Sequence, residues 1–242
     1  MKKLIIKIIL FVLLVILIIC SVFTFAGYNK YADAIKEQDI RSKVDEIRSS
    51  NNYTKIEDMS EFYLDAVIAV EDHRFFKHNG VDLISVFRAT ITNVRNKELL
   101  EGGSTITQQL AKNTYFTQNK ELTRKVAECF MAWKYEKNYS KNEILELYLN
   151  TSYFGDGYYT VKEASLGYFE KLPNELNKYE ASMLAGIPNA PSVYSPTVNF
   201  KLASERQNQV LEKMVKYKYI TDDEKSEILT QTQTYSEYFN KK

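Results

Sequence analysis

The N-terminus limits the possible folds of this chain more than any other segment. Three lysines within the first seven residues are followed by an uncharged, mostly apolar run from Ile8 to Ala26. A helix of that length is close to the roughly 20 residues that cross a bilayer. Residues 24–26 (TFA) form a poor signal-peptide exit, and Cys20 lacks the small preceding residue of a lipoprotein site. We therefore predict an uncleaved anchor rather than a signal peptide, with a cytoplasmic N-terminus and an extracytoplasmic body.

The chain is long enough for one domain after the apolar run. The full 242 residues are 45% hydrophobic, and the net charge of +1 gives no global field that would attract nucleic acid. Cys20 lies in the apolar run and Cys129 in the body, so we predict no intramolecular disulfide. We divide the chain into a cytoplasmic N-terminus and transmembrane anchor (1–27), a helical stalk or linker (28–53) and one domain (54–242).

Helical periodicity dominates that domain, and no run of alternating strands or internal repeat interrupts it. The fold class is therefore predicted as mainly α. The clearest helix covers Glu121–Lys137, in which the apolar residues form one stripe. That stripe consists of Leu122, Val126, Cys129, Phe130 and Trp133. Thr105 with Gln108 and Ser140 with Glu143 have the three-residue spacing of capping boxes, which predicts two further helix starts.

The stretch "VEDHRFFKHNG" (70–80) contains the only two histidines. His73 and His78 are five residues apart, which places them about 140° apart on a helix, so they do not form a metal-binding pair. Glu71 follows a helical apolar stripe that ends at Val70. An apolar wall disfavours the charged form of a carboxyl, which makes Glu71 a candidate proton acceptor. A solvated helix-end acid is the alternative that this segment leaves open.

Two further segments concentrate polar groups. "EGGSTITQQLAKN" (101–113) has a glycine break before a helix start, whose free N–H groups attract anions, and Lys112 follows near the helix end. "LTRKVAECF" places Arg124 and Glu128 four residues apart, away from the apolar stripe, with Lys125 beside them. These residues line a cleft with two cations and a carboxylate, or they form an ordinary surface ion pair and a capped helix.

Five segments, in this order, resemble the five motifs of the peptidoglycan glycosyltransferases, the family that includes the glycosyltransferase half of class A penicillin-binding proteins. They are "EDHRFFKHNGVD", "GGSTITQQLAKN", "RKVAE", "KNEILELYLN" and "RQNQVLEKM". The resemblance covers roughly residues 54–218. Thr160 is a departure, because the family has a glycine there. The sequence has no S-x-x-K or K-T-G match to the family's transpeptidase, so the resemblance points to the monofunctional, membrane-anchored form.

The resemblance implies a lysozyme-like helical domain with a small membrane-proximal lobe. It also implies polymerisation of lipid II into β-1,4 glycan, with inversion and release of undecaprenyl pyrophosphate. Glu71 would be the base, and Glu128 a second acid that orients cations, the acceptor sugar or a divalent ion. By the same resemblance, the pyrophosphate would be held by Lys112, Arg124 and Lys125, with Arg88 and Lys120 as weaker candidates. Asp72 would support Glu71, and the substrate-binding positions would be Ser104, Thr105, Gln108 and Gln109.

The implied partners are lipid II, the nascent glycan and the bacterial cytoplasmic membrane, with cell-wall synthesis proteins as further candidates. The segment 81–100 either dips into the membrane surface or packs in the core. No cofactor is required by the implied chemistry. Family members are often assayed with Mg²⁺ or Mn²⁺, but the sequence has no dedicated cage for either ion. Two rival functions are a glycan-cleaving enzyme of the lysozyme class and a non-catalytic cell-wall scaffold.

Overall fold

The computed structural model describes residues 2–96, 102–116 and 121–242. In these ranges the regular elements are helices and no strand is present, which confirms the predicted mainly α class. The α-helices are α1 (Lys2–Glu37), α2 (Ile40–Arg48), α3 (Glu61–Glu71), α4 (Leu83–Asn96), α5 (Ile106–Tyr115), α6 (Leu122–Asn138), α7 (Lys141–Leu149), α8 (Val161–Phe169), α9 (Lys178–Gly186), α10 (Pro191–Tyr194), α11 (Phe200–Lys216), α12 (Asp222–Leu229) and α13 (Thr232–Phe239).

Helix α1 is continuous over 36 residues, or about 54 Å. Within the described ranges it is the one helix long and apolar enough to cross a membrane. Beyond its apolar part it packs against α6. A Cβ on Gly27 would lie 2.5 Å from the Cβ of Val126, so the close approach of the two helices requires glycine there. Lys30 and Glu121 form an ion pair of 2.7 Å across the same contact.

The segment 28–53, which we expected to be a stalk or linker, is helical as expected but packs onto the body. Tyr28 and Tyr31 on α1 contact the ring of Phe130 at centroid distances of 5.4 and 5.9 Å. On α2, Ile40 and Val44 are buried in the common hydrophobic core. The packed body therefore extends N-terminally beyond residue 54.

The apolar stripe of α6 is only partly covered. Leu122 is 69% and Trp133 49% exposed. The middle of the stripe is covered by α1, whereas the fully buried face of α6 packs against α5 and α7. That buried face consists of Ala127, Glu128, Met131, Ala132 and Tyr135. Periodicity identified the apolar face but not the element that covers it, and Glu128 is buried on the other side.

Helix α4 presents most of its large apolar side chains to the outside. Ala89 is buried, whereas six larger apolar side chains on this helix are exposed. They are Leu83, Ile84, Val86, Phe87, Ile91 and Val94. A helix of this kind suits a membrane surface rather than a protein core, so the core-packing alternative for this segment is not supported.

The core lies between α3, α9 and α11, which pack against one another, and between α5 and its neighbours α6 and α7. Both predicted capping boxes are confirmed. Thr105 Oγ1 accepts the Gln108 N–H at 3.1 Å, and Gln108 Oε1 accepts the Thr105 N–H at 3.1 Å. Ser140 and Glu143 make the same reciprocal pair at 3.3 and 2.9 Å. These caps fix where α5 and α7 begin.

Candidate active site

A cleft of about 930 Å³ opens between the end of α3, helices α4, α5 and α6, and one face of α11. It brings together most of the residues that the sequence nominated. The nominated residues that line it are Glu71, Arg88, Ser104, Gln108, Gln109, Lys112, Arg124, Lys125 and Glu128. Asp72 and Thr105 are not among the lining residues, and Lys120 lies outside the described residues.

Glu71 is the last residue of α3, and its side chain is only 8% exposed. Its Oε2 accepts a hydrogen bond of 2.6 Å from the amide of Gln109. Its Oε1 is buried and has no hydrogen-bond partner among the described residues. Arg206 Nη2 lies 3.8 Å from Oε1, close enough for an ion pair but too far for a hydrogen bond. A buried acceptor without a donor is unusual and marks a site that a ligand donor can fill.

Glu128 lies in a different environment, because both its oxygens are bonded to cations. Arg124 donates to Oε1, and Lys125 Nζ lies 2.8 Å from Oε2. Lys125 Nζ also donates to Ser104 Oγ at 2.7 Å. The Glu128 side chain is 1% exposed. Three- and four-residue spacing on α6 places all three side chains on one face. Glu128 therefore acts as the holder of two cations rather than as a free acceptor.

Lys112 brings a third cation to the same end of the cleft from the last turn of α5. Burial lowers the pKa of its ammonium, Arg124 and Lys125 lower it further, and Glu128 and Glu71 oppose them. In the described part of the chain the ammonium donates no hydrogen bond. Three cations against one buried carboxylate leave this end of the cleft with a net positive charge, which suits an anionic group.

Asp72 and Thr105 act behind the cleft rather than in it. The carboxylate of Asp72 accepts the N–H of Ile106 at 3.1 Å and contacts His78 Nε2 at 2.9 Å. Thr105 Oγ1 donates to the carbonyl of Gly80 at 2.5 Å. Both residues tie the loop after α3 to the start of α5. The support of Glu71 expected from Asp72 and the direct substrate binding expected from Thr105 both stay predictions.

None of the individual residues that line the cleft from α11 and its C-terminal end was nominated from the sequence. Arg206, Gln209, Lys213 and Tyr217 all line the cleft. The sequence did contain a signal for these residues. The segment "RQNQVLEKM" is the fifth of the motif-like segments, and its positions 206, 209 and 213 share one helical face. Arg206 is fixed by hydrogen bonds to the Gly186 carbonyl (3.3 Å) and to Gln209 Oε1 (3.0 Å).

The side chains of the cleft do not form an evident metal cage. Across residues 2–96, 102–116 and 121–242, no group of three His, Cys, Asp or Glu side chains is arranged to hold an ion. Glu128 is the carboxylate that the resemblance associates with a divalent ion, but its oxygens are bonded to Arg124 and Lys125. No step of the chemistry proposed below is assigned to a metal.

A helical domain in which a buried carboxyl and a cation cluster share one cleft has the parts of an enzyme that acts on an anionic substrate. A family model described as "Transglycosylase" matches residues 37–215. The chain therefore belongs to the transglycosylase family. This match begins before residue 54, in agreement with the burial of α2.

The relatives are larger proteins. Penicillin-binding protein 1A of Neisseria gonorrhoeae is 43% identical over 189 residues, which are 78% of this chain and 24% of that protein. Penicillin-binding protein 1A of Aquifex aeolicus is 40% identical over 195 residues, covering 77% of this chain and 27% of that protein. A crystal structure of penicillin-binding protein 1A from Haemophilus influenzae matches with a TM-score of 0.36 and 32% identity, over 51% of this chain and 15% of that chain. The chain thus spans about a quarter of the length of the curated relatives that it matches.

Proposed function

We propose that this protein polymerises lipid II into linear β-1,4 glycan strands, with inversion at the anomeric carbon and release of undecaprenyl pyrophosphate. The observation that supports this most directly is that a carboxyl and a cluster of cations line the same cleft. Glu71, with an unpartnered oxygen, lines the same cleft as the cation cluster formed by Lys112, Arg124 and Lys125. Such a cleft has a candidate base and a candidate leaving-group site in one enclosed space.

Glu71 is the proposed general base. It takes the proton from the 4-hydroxyl of the acceptor sugar while that oxygen bonds to the anomeric carbon of the donor. Gln109 holds Oε2 at 2.6 Å, which leaves Oε1 as the oxygen to receive the proton. The leaving group needs no general acid to protonate it, since a pyrophosphate is already a weak base.

The cation cluster is the proposed site of the leaving group. As the bond from the anomeric carbon to the phosphate oxygen breaks, its electron pair stays on the pyrophosphate, whose negative charge increases. Lys112, Arg124 and Lys125 are placed to offset that charge before the reaction begins. Glu128 keeps two of them oriented, so that they need little rearrangement in the transition state.

The anchor suits a substrate that stays in the bilayer. We propose that the lysines at the N-terminus are cytoplasmic and that the packed body is extracytoplasmic. The exposed apolar face of α4 would then rest on the membrane surface next to the cleft, since Arg88 of α4 lines that cleft. The lipid tail of the donor would remain in the membrane while its pyrophosphate and sugars enter the cleft.

The test is polymerisation of purified lipid II by the full chain in detergent, with glycan length read on a gel. Glu71→Gln keeps the volume and the Gln109 contact but removes the base, so we expect a loss of at least about a hundredfold in rate. Glu61→Gln is the matched control, because Glu61 is exposed at the other end of the same helix.

Three results would contradict the proposal. The wild-type chain fails to polymerise lipid II, or it shortens finished glycan instead, which would favour a lytic enzyme. Alternatively, Glu71→Gln polymerises at the rate of the Glu61→Gln control.

A further inference from the structure

We propose that His73 is a positioning residue that holds the guanidinium of Arg88 in the cleft, where Arg88 binds the pyrophosphate of the lipid-linked substrate. This inference rests on the proposed function above. His73 lies in the loop after α3 and Arg88 on α4, so the contact joins two walls of the cleft. The sequence indicated neither the contact nor the partner Tyr217, which directly follows α11.

Three side chains from three elements form the arrangement. The ring of His73 stacks on Tyr217 at a centroid distance of 4.0 Å and an interplanar angle of 10°. Its Nε2 lies 3.0 Å from Arg88 Nη1. Arg88 Nη2 also donates to Ser85 Oγ, one turn earlier on α4, at 3.4 Å. Arg88 and Tyr217 both line the cleft.

The chemistry of the pair fixes the state of the imidazole. A guanidinium is always protonated and can only donate, so Nε2 of His73 must accept and the ring must be neutral with its proton on Nδ1. Burial lowers the pKa of His73 to about 4, and the charge of Arg88 contributes in the same direction. Asp72 and Asp82 oppose this shift, and Arg74 adds to it. The neutral acceptor is therefore the form present at neutral pH.

This contact matters because it reaches Arg88 from the loop after α3, whereas Ser85 lies on the same helix as Arg88. The helix presents its large apolar side chains outward, with Ala89 buried. A long arginine side chain loses rotamer entropy when it is fixed. A hydrogen bond to a stacked imidazole fixes it before the substrate arrives, so that less is lost on binding.

The test is a double-mutant cycle on kcat and KM for lipid II, measured with the full chain in detergent. His73→Phe keeps a flat ring against Tyr217 and removes the acceptor. We expect it to lower kcat/KM about tenfold, mainly through KM, with the melting temperature unchanged. Arg88→Ala should lower kcat/KM at least as much. The double variant should be no worse than Arg88→Ala alone, because His73 acts only through Arg88.

His73→Gln retains an acceptor oxygen and should therefore be more active than His73→Phe. If His73→Phe does not fold, His73→Leu replaces it in the same cycle. The inference is overturned if the acceptor-free variant keeps wild-type kcat/KM, if it equals or exceeds His73→Gln, or if its loss adds fully to that of Arg88→Ala. In each of these cases an active wild type and an inactive Glu71→Gln leave the proposed function intact. An inactive wild type would remove the proposed function itself.

Discussion

Replacement of Glu128 by glutamine separates the role of this residue in the reaction from its contribution to the stability of the fold. The amide keeps the volume and one acceptor oxygen but presents an NH₂ group to the other cation. Arg124 and Lys125 then lie side by side without the charge that holds them together. We expect both a less stable domain and an inactive site.

The size of the stability loss follows from the exposure of the partners. Removal of one member of a buried ion pair costs about 3–5 kcal/mol. Arg124 is 12% exposed, so its pair with Glu128 lies near that range, whereas Lys125 is 43% exposed and contributes less than about 1 kcal/mol. The retained acceptor oxygen reduces the total. We therefore expect the free energy of unfolding to fall by about 3 kcal/mol.

The matched control is Glu136→Gln on the same helix. Glu136 is 9% exposed and accepts from Lys141 Nζ at 2.8 Å and from Thr107 Oγ1 at 2.6 Å, but it does not line the cleft. Unfolding can be followed by the fluorescence of Trp133, the only tryptophan in the chain. Both variants should lose comparable stability.

The two variants should differ in lipid II polymerisation. Loss of preorganised charge at the leaving group typically costs 10²–10³-fold in kcat, so Glu128→Gln should fall by about that factor while Glu136→Gln stays within about threefold of wild type. The reasoning is refuted if Glu128→Gln retains most of the wild-type rate. It is equally refuted if Glu136→Gln loses as much, because the effect would then come from stability alone.

Three further predictions concern other parts of the chain. Gly27→Leu puts a Cβ about 2.5 Å from Val126, so we expect the anchor helix to leave α6 at a cost of about 1–3 kcal/mol, seen as faster proteolysis between residues 27 and 37. Ser140→Ala removes a cap and should lower the free energy of unfolding by about 1 kcal/mol in urea, with the polymerisation rate unchanged. Lys112→Arg should move the alkaline limb of kcat/KM to higher pH. Burial lowers the pKa of Lys112, so this cation is lost as pH rises through that value, whereas a guanidinium stays charged.

The parts of the fold that depend on local interactions could be predicted from the sequence. The two capping boxes begin helices at Ile106 and Lys141, as their spacing required. The apolar run at the N-terminus forms one helix. These features depend on residues within one turn of each other, or on hydropathy alone, and they need no knowledge of what packs nearby.

Contacts between distant segments could not be predicted in this way. Periodicity identified the apolar stripe on α6 but not its partner, and the middle of that stripe faces α1. Nothing in the local sequence around His73 pointed to Tyr217, which is 144 residues later and stacks on it. The cleft itself was anticipated only through the order of five motifs, and the geometry then brought most of their polar residues to one place.

The two acidic residues of the cleft show why neighbours, rather than residue type, assign the roles. Glu128 has a cation on each oxygen, so neither oxygen can accept from a substrate without competing with a charge-assisted hydrogen bond. Glu71 has one oxygen held by a neutral amide, whereas Oε1 has no hydrogen-bond donor among the described residues and lies 3.8 Å from Arg206 Nη2. Oε1 of Glu71 can therefore accept from a substrate hydroxyl without losing a hydrogen bond, which is why we propose the base at the end of α3. If the two cations were bonded to the oxygens of Glu71 instead of Glu128, the same reasoning would make Glu128 the proposed base.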